Sequence, residues 1–312
     1  MLSLASRSLS NLSINSSTSL ETDINSIKYI ILLSFLIVSL VLSLFIFYHI
    51  LITPATRKLN CHIIIILLCL NFLQTSTDLP ILISIFHTGY LRPASSVFCT
   101  FWVWYDFSLN AMGICLMAFA SIERHIIVFK WKFFQNQIKR YIFHYLPIII
   151  ILCWIPLFYI VAVVISPTCQ QNWSYNLISC GQPCYVLYDK YLSGFDFIFH
   201  LLISIIIIAI SNLTLCIRII YQKRKIQHAA DQRRQQKMAI QLISIAALYI
   251  AGWFPSIIIQ LIQLYFDPSF LAYQLESILF SIYFVPLLLP AICLRIVPQL
   301  TKRFYAITGR KL

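Results

Sequence analysis

Residues 99–125 read CTFWVWYDFSLNAMGICLMAFASIERH, an apolar run with one carboxylate, Asp106, near its start and a charged triplet, Glu123, Arg124 and His125, at its end. It is the heart of an apolar block over 97–128, and a helix of that length crosses the roughly 30 Å of bilayer hydrocarbon with turns to spare. Asp106 and Arg124 stand 18 residues apart, about five turns at 3.6 residues each, so they share one helix face roughly 27 Å apart. Asn110 lies one turn beyond Asp106 on that face, and Trp102 one turn before it. A carboxylate inside hydrocarbon is expensive, so Asp106 is either a working group or one satisfied by a neighbouring helix or water.

Six further apolar blocks occupy about 28–52, 61–86, 142–165, 194–221, 236–264 and 272–296, each long enough to span with some tilt. The composition agrees. Of 312 residues, 60% are hydrophobic and 11% charged, against about 25% charged in a soluble domain. No stretch outside the blocks exceeds about 30 residues, too little for a separate catalytic or nucleic-acid-binding core. Breakers fall between blocks at Thr53-Pro54, Arg92-Pro93, the Cys-rich 167–190 and Asp267-Pro268. The expected organisation is an N-terminal tail over 1–27, a seven-span domain over 28–296 and a short C-terminal segment over 297–312.

The net charge of +13 is loop charge. If the N-terminus lies outside, all but four of the 23 Lys and Arg residues fall on the cytoplasmic side, the exceptions being Arg7, Lys28, Arg92 and Lys190. Basic residues near span ends stay cytoplasmic, so this orientation is expected, and the clusters are topology signals and contacts with anionic lipid rather than nucleic-acid sites. Residues 1–26 lack the charged and apolar regions of a cleaved signal peptide, and the first span is expected to direct its own insertion. Asn11, Asn15 and Asn172 begin Asn-x-Ser acceptors for glycosylation on the outer side, whereas Asn212-Leu213-Thr214 falls inside a helix and reads as a false hit.

Of ten cysteines, Cys99, Cys169, Cys180 and Cys184 face the oxidising side, and four cysteines allow three pairings. The expected pairs are Cys99 with Cys184, the cysteine nearest the fifth span, and Cys169 with Cys180 as a local clip. Cys180 is nearly as good a partner for Cys99.

Seven spans, the N-terminus outside and a cysteine at the outer end of the third span with a partner in the second outer loop together resemble the rhodopsin-like G-protein-coupled receptors. Glu123-Arg124-His125 is similar to that family's acidic-Arg-aromatic triplet, and Arg124 follows Cys99 by 25 residues, as the family pattern has it. Trp253-Phe254-Pro255 is similar to its Trp-x-Pro motif, and Pro290 sits where the family has Asn-Pro. Arg295, Lys302, Arg303 and Phe304 then resemble its short amphipathic helix along the inner membrane surface. The resemblance implies an all-α membrane protein, a seven-transmembrane helix bundle with a short C-terminal amphipathic helix. The departures mark a divergent, invertebrate-type member: Leu289 replaces the Asn before Pro290, Cys293 a Tyr, and Asn71 the second-span Asp that helps hold sodium. A fifth-span Pro is absent, as is an acidic partner for Arg124 near Gln235.

An Asp at position 106 resembles the counter-ion of receptors for biogenic amines and some basic peptides, and Tyr283, seven residues before Pro290, matches the Tyr those receptors aim at it. A ligand ammonium would gain from a carboxylate in low dielectric, with Trp102, Trp104 and Tyr105 adding cation-π contacts. Against this, Ser256 and Ile257 stand where amine receptors carry aromatics. Tyr283 in place of Lys excludes a retinal Schiff base. Trp253 and Pro255 mark at least a helix bent at a proline, and by resemblance a hinge that exposes Arg124, which Glu123 restrains at rest. Asp78 reads as a polar helix end, and Asp189, Asp196, Asp267 and Glu276 as solvated rim charges.

The resemblance thus implies a plasma-membrane receptor that binds an extracellular ligand, small molecule or peptide, among Asp106, Asn110, Trp102, Tyr283 and Trp253. It would signal to a heterotrimeric G protein through Glu123, Arg124, His125, Pro255 and Pro290. No cofactor, metal or nucleic acid is called for. A transporter or channel is the alternative, disfavoured because the expected midplane holds Asn71, Asn110 and few charges and no internal repeat is visible. An enzyme is not expected, since no zinc motif, nucleophile elbow or carboxylate pair within the spans stands out.

Overall fold

The computed structural model describes residues 2–52, 59–129, 136–165, 169–223, 230–267, 270–271 and 278–296. The side chains of Asn11 and Asn15, and all of 297–312 with its expected amphipathic helix, lie outside the described residues.

Six helices are long and apolar enough to cross a membrane: α1 (Ile24–Ile52), α2 (His62–Thr88), α3 (Ser96–Ile127), α4 (Gln137–Ile165), α5 (Lys190–Tyr221) and α6 (Leu242–Tyr265). A shorter apolar helix, α7 (Phe280–Leu294), completes the set of seven. The backbone carries α1 back to Leu2. Each block expected from the sequence has its helix, and α4 and α5 start several residues earlier than their apolar runs because polar turns, Gln137–Arg140 and Lys190–Asp196, continue the helix beyond them.

Proline sets the local shape of α2 and α4. Pro80 has no N–H for the carbonyl one turn back, and the helix widens just before it: the Leu79 N–H reaches five residues back to the Gln74 carbonyl. The same happens ahead of Pro147, where the Leu146 N–H bonds the Tyr141 carbonyl.

Burial shows which helix is central. In α3, 67% of the most apolar stretch is buried, against 28% in α1 and in α4. Ile30, Ile37, Val41 and Leu44 on α1, and Ile149, Ile150, Trp154 and Leu157 on α4, point outward. An all-round apolar helix with half its surface uncovered is at home against lipid, which is as apolar as those side chains. Where α6 meets α7, Gly252 permits close approach: a Cβ there would stand 2.5 Å from Val285 Cγ2, and Ser281 Oγ donates to the Gly252 carbonyl at 3.0 Å.

The loop between α4 and α5 folds back over the end of α3. It is fixed by disulfides Cys99–Cys180 and Cys169–Cys184, which corrects the expected pairing of Cys99 with Cys184. Proximity to α5 misled the reading. Ser179 and Cys180 adopt left-handed backbone, φ 50° and 55°, which turns the chain inward and drops Cys180 onto the top of α3. Cys184 instead opens a short helix, Cys184–Tyr188, and closes locally on Cys169.

Candidate functional site

The Cys99 end of α3 holds a buried polar cluster built by three elements. Asp106, 5% exposed, accepts from Asn110 Nδ2 at 2.6 Å through Oδ1 and from Ser179 Oγ at 3.0 Å through Oδ2. The first donor is the neighbour one turn away on α3, and the second comes from the loop that Cys180 staples down. Asp78 of α2 is fully buried, accepts from Trp102 Nε1 at 2.6 Å through Oδ1, and lies close enough to Asp106 for the two carboxyls to act on each other. Asp78 is therefore not the polar helix end expected from the sequence but a buried residue within α2. Asp78 follows Asn71 by two turns and so shares its inward face.

From Asp106 a polar chain runs inward. Asn110 Oδ1 accepts from Gln74 Nε2 at 3.0 Å, and both residues line a cavity with Asn71, Gly113, Tyr249 and Trp253. Its open volume of about 20 Å³ suits a single water molecule, and Asn71 Nδ2 finds no acceptor among protein atoms. Gly113 matters here, because a Cβ would sit 3.1 Å from the Tyr249 hydroxyl. Trp253 is 6% exposed, and Tyr283 is buried in an apolar cluster with Leu32, Leu79, Leu82 and Leu287.

At the other end of α3, Glu123 and Arg124 are both buried. Glu123 Oε1 is paired with Nδ1 of His144 from α4, a partner the sequence reading does not foresee, and the His62 ring of α2 lies 5.6 Å from that imidazole. His125 Nε2 meets the Ser211 carbonyl of α5 at 2.6 Å. Asn212 is buried inside α5 with its Nδ2 on Ser121 Oγ at 2.9 Å.

The profile of the 7 transmembrane receptor (rhodopsin family) matches residues 41–293, most of the chain and all of α2 to α6. The chain belongs to that family. No curated protein matches it closely. In this rhodopsin-family receptor Arg124 and Trp253 are both buried. Pro255 lies inside α6 and Pro290 inside α7.

Two aromatics read as cation-π contacts use their polar tips within the receptor: Trp104 Nε1 donates to the Pro156 carbonyl of α4 at 3.1 Å, and the Tyr105 hydroxyl accepts from Thr77 at 2.9 Å. Trp102 is fully buried below the Cys99–Cys180 disulfide. The rim reading of Asp196 also fails. Asp196 is buried on α5 and takes three donors, the Tyr159 hydroxyl at 2.7 Å, the Tyr185 hydroxyl at 2.8 Å and His200 Nδ1 at 2.7 Å. Burial, with the Asp196 carboxylate beside it, pushes the Tyr185 phenol up, which keeps it protonated as a donor. Asp189 caps the start of α5, accepting from the backbone of Tyr191 and Leu192.

Proposed function

We propose that this receptor binds an extracellular ligand through a positively charged group set against Asp106, and that it activates a heterotrimeric G protein at the Arg124 end. The observation that carries the reading is a buried carboxylate with neutral donors only. Among the described residues no Lys, Arg or His forms an ion pair with Asp106. A ligand cation would add the attraction that the bundle leaves out, at the head of a polar chain leading to Trp253.

The excess of Lys and Arg on one side supports a plasma-membrane orientation with the N-terminus and the Cys99 end outside, the basic loops meeting inner-leaflet lipid and the G protein. Exposed Asn172, beside the disulfide loop, would then be a glycosylation site, with Asn11 and Asn15 in the tail. Epitope tags at each terminus, labelled on intact cells, test this orientation: the amino end should label and the carboxyl end should not.

The ligand reading is tested by Asp106→Asn in a nucleotide-exchange assay with purified G protein. Loss of one charge-assisted contact, about 2 kcal/mol, should weaken a cationic agonist roughly 30-fold at unchanged surface expression. Unaltered potency would exclude the counter-ion role.

A further inference from the structure

Asp106 is covered by the chain itself. The loop between α4 and α5 dips at residues 178–180, and all three are buried although Ser174, Asn176 and Leu177 just before them are exposed. In the dip the Ser179 hydroxyl donates to Asp106 Oδ2 at 3.0 Å. Ile178 beside it enters the apolar cluster of Leu79, Leu82 and Phe86 from α2 with Tyr283 and Leu287 from α7. One polar hydrogen on the carboxylate and one apolar group next to it are what a small amphiphilic ligand would bring.

The dip is tied at its ends and strained between them. Cys180 is bonded to Cys99, the Gly181 N–H reaches the Ile178 carbonyl at 3.0 Å, and the Tyr175 carbonyl accepts from the Leu91 N–H at 2.9 Å. Ser179 and Cys180 keep left-handed backbone, which residues with a Cβ resist. A conformation of that kind persists only where its surroundings over-determine it, and it is given up readily once a contact is replaced. The Ser179 contact is replaceable, because a neutral hydroxyl holds a carboxylate less strongly than an ammonium does.

We propose that residues 178–180 form a resident strap over the ligand site, with Ser179 and Ile178 in the places of the ligand's donor and apolar group, and that an amine with a branched apolar tail binds by displacing them. This rests on the cationic-ligand reading given above. Cys180 stays pinned by its disulfide while Ser179 and Ile178 swing away from α3. Apparent affinity is lowered by the fraction of receptors whose strap is down, so a weaker strap means tighter binding.

The test uses the full-length receptor purified in lipid nanodiscs, with thermal stabilisation by two probes, 3-methylbutylamine and methylamine. In the natural receptor the branched amine should act at a concentration at least about tenfold lower, since only it refills the place of Ile178. Ser179→Ala should lower the half-maximal concentration of both amines about tenfold, because the hydroxyl no longer competes for Asp106. Ile178→Ala should shift both in the same direction, and Asp106→Asn should abolish both. Potency unchanged or weakened in Ser179→Ala, with Asp106→Asn still abolishing it, would overturn the strap and leave the Asp106 reading standing. Equal potency of the two amines in the natural receptor would likewise overturn it. No stabilisation by either amine in any variant, or stabilisation indifferent to Asp106→Asn, would sink both. Should Ser179→Ala fail to fold, Ser179→Gly, which suits left-handed backbone, carries the same expectation.

Discussion

At one end of α3 the buried carboxylate of Glu123 has an imidazole against it; at the other, Asp106 has only neutral donors and a second carboxyl for a neighbour. The helix, the residue class and the depth of burial are alike, so the difference lies in what α2 and α4 bring across. α4 brings His144, a group able to carry positive charge, and α2 brings Asp78, a second carboxyl with which Asp106 shares a proton. A buried pair resists change because removing one partner strands the other, whereas a buried deficit rewards whatever supplies the missing charge. The Glu123 end therefore holds the resting arrangement, and the Asp106 end is where an outside molecule has most to offer.

The largest expected effect breaks the Asp106 end mechanically. Cys99→Ala or Cys180→Ala opens a bridge spanning 81 residues, worth about 4.5 kcal/mol in loop entropy, against about 3 kcal/mol for the 15-residue bridge Cys169–Cys184. Size-exclusion profiles of solubilised receptor should show the Cys99 or Cys180 variants as aggregated and the Cys169→Ala, Cys184→Ala double variant as partly folded; equal behaviour would mean that the local clip, not the inward turn, organises this end.

Next, His144→Leu strands Glu123. A loss of about 3 kcal/mol is expected, read as a fall of roughly 6–12 °C in apparent melting temperature, together with raised ligand-independent signalling. If stability is unaffected, the two ends of α3 are not different in kind.

Ser179→Ala keeps the left-handed backbone but removes one donor to a carboxylate, about 1.5 kcal/mol, and should lower the melting temperature without disturbing the disulfide. The smallest effect has the opposite sign. Asp78→Asn preserves an acceptor for Trp102 and places a permanent N–H beside Asp106, so the melting temperature should hold or rise by about 1 kcal/mol equivalent. A clear fall would show that Asp78 is already balanced at rest.

Much of this could be read from the chain because it is local. Span positions follow from hydrophobicity, and the shared face of Asp106, Asn110 and Arg124 follows from 3.6 residues per turn on one helix. The link from Asp106 to Asn110 was visible on that basis. What crosses between helices was not. His144 and Glu123 are 21 residues apart on different helices, and nothing in either neighbourhood announces the pairing. Asp78 did leave a trace, seven residues after Asn71, but its place beside Pro80 suggested an end of helix rather than a wide turn within one. Asp196 looked like rim charge because it opens the fifth apolar run, yet Tyr159 and Tyr185 fold over it from α4 and the loop.

That last knot gives the receptor an uneven stiffness. Asp196, His200, Tyr159 and Tyr185 bolt α4, the loop and α5 into one block, and Trp104 fastens α3 to its side. On the far flank α6 meets α3 by packing at Gly113 and Tyr249 and is tied to α7 by Ser281. A push delivered at the centre would travel toward the softer side, so the molecule behaves like a door whose frame is α3 to α5 and whose leaf is α6 with α7.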